Sequence, residues 1–140
     1  MAAVLIDEGL EDRMSGFYGS SGAHPPDVIR LFTSVAGGVS QSSVLADFVE
    51  VTPIMGYAAK AVAGTDWAYA IDLVAHNILA TADYLWFFTA GAGVTVHGWY
   101  MLNVASGKVQ LAETFAVPVV IPPIGGALEI DVEDTYEQCP

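Results

Sequence analysis

Hydrophobic and polar positions alternate most clearly between Val94 and Val132, VTVHGWYMLNVASGKVQLAETFAVPVVIPPIGGALEIDV. That is the period of half-buried β-strands joined by tight connections. One predicted face carries Val94, Val96, Tyr100, Leu102 and Val104; the other carries Thr95, His97, Trp99, Met101 and Asn103. Ala105–Lys108 (ASGK) makes a turn. Val109, Leu111 and Phe115 return on one face, Lys108 and Gln110 on the other. Glu113 breaks this alternation and marks a bulge or a specific contact. Val117–Ile121 contains Pro118 and runs into Pro122 and Pro123, which predicts an edge or a bend. After a turn at Gly125–Gly126, Leu128, Ile130 and Val132 point in, and Glu129, Asp131 and Glu133 point out. Such outward acids guard a strand against wrong pairing.

Upstream, the pattern is shorter and more broken. Asp27–Ser34 reads as a strand, and Ala36–Ser43 as a Gly/Ser loop. Ser42 or Ser43 is placed to N-cap a short helical turn over Val44–Phe48. Glu50–Met55 and Gly56–Val62 read as strand material, Gly64–Asp66 as a turn, Trp67–Ala75 as a strand, and His76–Ala82 as a helical turn or loop. Tyr84–Thr89 (YLWFFT) is apolar on both faces, so it is expected to be buried on both or to lie in an interface. Residues 1–26 read as an extended arm, with Phe17 and Tyr18 placed to dock or to cap the core, and with Pro25 and Pro26 barring a helix. Residues 27–133 form the domain, and 134–140 an acidic tail. The expected fold is all-β: an antiparallel β-sandwich, or a small jelly-roll or barrel, with at most one short helix.

Composition changes the picture in one respect. The 140 residues are 54% hydrophobic and only 14% charged, and the net charge is -12. So few charges leave apolar surface exposed, and large apolar patches mark interaction sites. The chain is therefore expected to be covered by a partner or by copies of itself. Its basic residues, Arg13, Arg30, Lys60 and Lys108, are too few to neutralise phosphates, so neither nucleic acid nor an anionic membrane is an expected partner. Cys139 is the only cysteine and forms no intrachain disulfide. Met1–Ile6 lacks the features of a signal peptide. Leu85–Gly107 contains no charged residue, but its glycines and its period-two alternation favour buried strands over a membrane span.

Residues arranged for chemistry do not emerge. His24, His76 and His97 lack zinc-ligand spacing. His97 has Asp72 and Glu113 as candidate partners, but a positioned nucleophile is missing. The serines form no Gly-x-Ser-x-Gly elbow, and the glycine runs form no phosphate loop. Asp131, Glu133 and Asp134 offer carboxylates for calcium, although strand alternation already accounts for the first two. Trp67, Trp86 and Trp99 are candidates for a sugar-stacking platform or for core packing. No catalytic, cofactor-binding or metal residues are assigned, no cofactor is expected, and the chain is not expected to be an enzyme.

Four short motifs carry a resemblance. They are Leu45-Ala46-Asp47-Phe48-Val49-Glu50, Gly56-Tyr57-Ala58, Gly98-Trp99-Tyr100, and Leu111-Ala112-Glu113-Thr114-Phe115 followed by Pro118. In this order they resemble a family of small structural proteins of tailed bacteriophages, whose pieces read ADF-x-E, GYA, GY-F/Y and L-x-AERF-x-x-P. The match covers about half of the chain and leaves out the arm through Pro26. Thr114 stands where the family often has Arg, so any ion pair made by that Arg is absent here. The resemblance implies a virion protein on the outer surface of the capsid. Its implied role is head decoration (cement). Together with the high apolar content, the arm and a β-rich core without a catalytic set, this predicts a homo-oligomer, a trimer, that binds the major capsid protein, with residues 1–26 and 134–140 as the expected contact segments. The alternative is a tail- or fibre-associated protein that binds a host glycan.

Overall fold

The computed structural model describes residues 4–5, 27–62, 66, 68–72 and 77–137; for 4–5, 69–72, 77–80 and 134–137 only the backbone is described. The strands are β1 (Val4–Leu5), β2 (Asp27–Val35), β3 (Phe48–Glu50), β4 (Lys60–Ala61), β5 (Ala68–Asp72), β6 (Asn77–Phe88), β7 (Val94–Asn103), β8 (Lys108–Ile121) and β9 (Gly126–Glu137). All pairings are antiparallel. The larger sheet has the order β1-β8-β7-β2-β3, with β4 also on β2; the smaller has the order β5-β6-β9. The expected all-β antiparallel sandwich is the observed fold. No helix among the described residues is long and apolar enough to cross a membrane.

One core lies between the sheets. From the larger sheet it takes Ile29, Leu31, Trp99, Met101 and Leu111; from the smaller it takes Tyr84, Trp86, Phe88, Leu128, Ile130 and Val132. The β9 alternation is as expected: Leu128, Ile130 and Val132 are buried, and Glu129, Asp131 and Glu133 are exposed. The larger sheet is apolar on its second face too. There Phe32, Phe48, Tyr100, Leu102, Val109 and Ala112 form a separate cluster, joined by Val39 and Leu45 from the β2–β3 loop. The Phe48 and Tyr100 rings lie 4.7 Å apart, and Phe32 and Phe48 meet edge-on at 5.3 Å. Strands buried on both faces read as near-continuous apolar runs, which is why Gly98–Asn103 shows no polar side.

Several local expectations are corrected. Val96 shares a core with Trp99 and Met101, not with Tyr100 and Leu102. The cause is a register shift between Val96 and Gly98: Val96 pairs with Val119 and Gly98 with Thr114. The extra β8 residues, around Pro118, are taken up within the continuous strand Lys108–Ile121. A second shift, between Met101 and Leu102, sends Val109 and Leu111 to opposite faces. Residues 51–59 form a loop instead of strand, and β6 begins at Asn77 where a turn was expected. β9 continues through Glu137, so residues 134–137 belong to the sheet. The short helical element is a 3-10 turn at Leu45–Asp47, and no serine caps it. Instead Asp47 Oδ2 accepts the Val44 N–H at 2.9 Å, while Ser43 Oγ accepts the Ser40 N–H. Apart from Val4–Leu5, which pair with Leu111 and Ala112, the predicted arm lies outside the described residues.

Candidate functional site

Part of the motif residues pack in the body of the sandwich, while Ala46, Val49, Ala58 and Pro118 are exposed. Gly98 pairs with β8 so closely that a Cβ there would collide with the Glu113 carbonyl and lie 2.5 Å from the Phe32 ring. Only glycine lets this ring close against the strand. Tyr57 anchors the 51–59 loop: its hydroxyl accepts the Leu31 N–H at 3.0 Å and donates to Glu50 Oε1 at 3.0 Å. Glu50 also faces Arg30 at 3.5 Å. Burial pushes the Tyr57 hydroxyl well above the ordinary tyrosine value, so it stays protonated as a donor. Trp86 Nε1 donates to Ala58 O at 2.9 Å and ties the same loop to the smaller sheet.

Glu113, which broke the alternation, has a definite role. It pairs directly across the strands with Trp99, whose indole N–H favours its charged form. Both line a cavity of about 420 Å³ with Phe115, Glu129, Ile130, Asp131 and Glu133. Burial raises the Glu113 pKa, the Glu133 and Asp131 charges raise it further, and the Trp99 N–H pulls it down. Next to this cavity, Asp83 and Asp131 sit opposite each other on β6 and β9. A hydrogen bond to Asp131 raises the Asp83 pKa, and the Asp131 and Glu129 charges add to it. Like charges directly opposite are unfavourable. Among the described residues, Asp83, Glu129 and Asp131, all exposed, have carboxylate oxygens within 4.8 Å of one another, close enough to share a cation. This group shares only Asp131 with the carboxylates singled out from the sequence. Glu133 lies on the same face but outside the group, and the Asp134 side chain is outside the described residues. We call this side the acidic flank.

The contrasting region is one end of the sandwich. The Val51–Ala59 loop, the Thr89–Gly93 loop and the Pro122–Gly125 turn meet there. Thr89 N donates to Met55 O at 2.7 Å, Gly91 N to Pro123 O at 2.8 Å, and Gly125 N to Pro122 O at 2.9 Å. Met55 takes a left-handed backbone (φ 56), and its side chain fills the space a Cβ on Gly91 would need. The stretches that run through these loops, residues 51–59, 86–98 and 114–128, contain no Asp, Glu, Lys or Arg. Yet large apolar side chains are in the open: Ile124 is 86% exposed, Val117 77%, Phe87 71% and Val120 68%. The expectation for Tyr84–Thr89 thus resolves by face, with Tyr84, Trp86 and Phe88 in the core and Leu85 and Phe87 outside.

The candidate chemical residues are dispersed. His97 sits at the β7 register shift, and Glu113 stands opposite Trp99; the Asp72 side chain, His24 and His76 are outside the described residues. Trp86 and Trp99 are 2% and 1% exposed, which removes both from any stacking platform; Trp67 is outside the described residues. The apolar end escaped the sequence reading, although its signal was available in the coincidence of charge-free runs around three turns. Compared with known proteins, the chain matches no family model and no curated protein sequence.

Proposed function

We propose that this chain is a structural protein of a tailed-bacteriophage particle: a head decoration (cement) protein that self-associates on the outer capsid surface and binds the major capsid protein. The observation that carries the reading is the exposure of large apolar side chains, Ile124, Val117, Phe87 and Val120, on a β-sandwich whose net charge is -12. Apolar surface of this kind is kept for contact with other protein. The order of the phage-like motifs supports the same reading, because several of their residues build the frame of the sandwich. Tyr57 holds the 51–59 loop, Ala58 O accepts the Trp86 indole N–H, and Gly98 and Phe48 pack in the larger sheet. In such an assembly each contact is small, and linked contacts from an oligomer bind far more tightly than one alone.

Mass spectrometry and a cryo-EM map of purified particles test the proposal. The expected result is this chain in symmetric density over the capsid shell. Its absence from the particle, or its confinement to the tail, contradicts the proposal. The glycan-binding alternative asks for accessible indoles, and the burial of Trp86 and Trp99 counts against it.

A further inference from the structure

We infer that the open edge of β9 is a docking site for an extended basic segment of another protein, which joins the smaller sheet as a further strand. This role goes beyond the proposed function and needs neither the virion assignment nor self-association.

The smaller sheet has the order β5-β6-β9, so β9 is an edge strand. It pairs with β6 at every position from Gly126 to Glu137. Among the described residues, no strand pairs with its other side. In an antiparallel strand, alternate residues turn both N–H and C=O to that side. A row of such groups is a template for one more strand. A groove runs along the same edge. The cavity of about 420 Å³ takes Ile130 from the inward face of β9, and Glu129, Asp131 and Glu133 from the outward face. Among the described residues β6 contributes nothing to it, so it lies on the side of β9 away from β6. Trp99, Glu113 and Phe115 face it from the larger sheet.

The occupant follows from charge. The groove is apolar at Trp99, Phe115 and Ile130, and acidic at Glu113, Glu129, Asp131 and Glu133. Asp83 adds a further carboxylate from β6, opposite Asp131. The chain holds four basic residues against sixteen acidic ones, so its acids outnumber the cations that it can offer them. Arg30 faces Glu50, and Lys60 lies on β4; both are on the far side of β7 from β8. A second copy is a poor occupant. Its β9 brings Glu129, Asp131 and Glu133 against the same row, and like charges directly opposite are unfavourable. A strand with Lys or Arg at alternate positions brings opposite charge to that row instead. The residues between them turn toward Trp99, Phe115 and Ile130, so apolar side chains suit those positions. Backbone pairing then supplies affinity, and the alternation of charge supplies specificity.

The test is fluorescence anisotropy on the purified full chain with a labelled Lys-Val-Lys-Val-Lys-Val-Lys peptide. A Lys-Lys-Lys-Lys-Val-Val-Val peptide keeps composition and charge and loses the alternation. The Glu129→Gln/Asp131→Asn variant is measured beside the natural sequence. Both side chains are exposed, so the fold is expected to survive, and circular dichroism with a thermal melt verifies that. The alternating peptide should bind the natural chain at least tenfold more tightly than the block peptide does, and at least tenfold more tightly than it binds the variant. Its binding should also slow hydrogen exchange at alternate amides of β9. No binding of the alternating peptide overturns the inference. Equal binding of the block peptide overturns it too, since charge alone would then suffice. So does full binding to the folded variant, or binding that leaves β9 exchange unchanged. If β9 exchange slows with protein concentration and no peptide, the edge is taken by a second copy, and the inference falls.

Discussion

The apolar end and the acidic flank are built on the same two sheets, yet they solve opposite problems. At the end, backbone groups are satisfied and apolar side chains are left in water. On the flank, side chains compatible with water are crowded against each other, as in the facing pair Asp83 and Asp131. Neither arrangement adds to the stability of an isolated chain. Exposed Ile124 and Phe87 gain nothing from folding, and paired carboxylates repel. Both features make sense as properties of surface.

The largest expected effect comes from the frame that separates the two regions. Trp99→Ala empties a fully buried site and removes the indole opposite Glu113, and should cost about 3–5 kcal/mol in equilibrium denaturation. If it costs under about 1 kcal/mol, the flank does not depend on the core as described. Next is Tyr57→Phe, which leaves the Leu31 N–H without its acceptor and Glu50 with Arg30 alone. A loss of about 1–3 kcal/mol is expected, together with faster hydrogen exchange in the 51–59 loop. That result would tie the shape of the apolar end to a single hydroxyl.

The flank is tested by pH. Glu113 and Asp83 have raised pKa values in the folded protein, so the folded state holds protons that the unfolded chain has released. Stability should therefore fall as pH rises above the ordinary glutamate value of 4.5, until Glu113 also ionises. Glu113→Gln keeps the shape of the side chain and removes the charge, so its melting temperature should vary less with pH over that window. A pH slope equal to that of the natural sequence would contradict the assignment. The smallest effect is expected from Ile124→Asp, within about 0.5 kcal/mol of the natural chain when both are monomeric, because the side chain is already in water.

What the sequence made legible was whatever depends on period alone. The inward Leu128, Ile130 and Val132 and the outward Glu129, Asp131 and Glu133 follow from alternation in a regular strand. Alternation failed where the backbone gains residues against its partner. The register shifts beside Gly98 and Leu102 regroup Val96 and Val109; Glu113 and Pro118 flag the first of them, but no side-chain pattern says which residues change face. Residues 51–59 were misread as strand because a loop pinned by a buried Tyr57 and covered by Trp86 is as apolar as a strand. The charge-free end is a property of three segments distant in sequence, and it becomes visible only when the fold brings 54–56, 89–93 and 122–125 together.

Salt dependence of self-association tests the contrast between the regions most directly. Sedimentation velocity of the natural sequence should be compared at low and high sodium chloride. Screening weakens repulsion between the acidic flanks and leaves apolar contact intact, so the oligomer should strengthen as salt rises. An oligomer that dissociates as salt rises would be held by ion pairs, and that result would contradict the account.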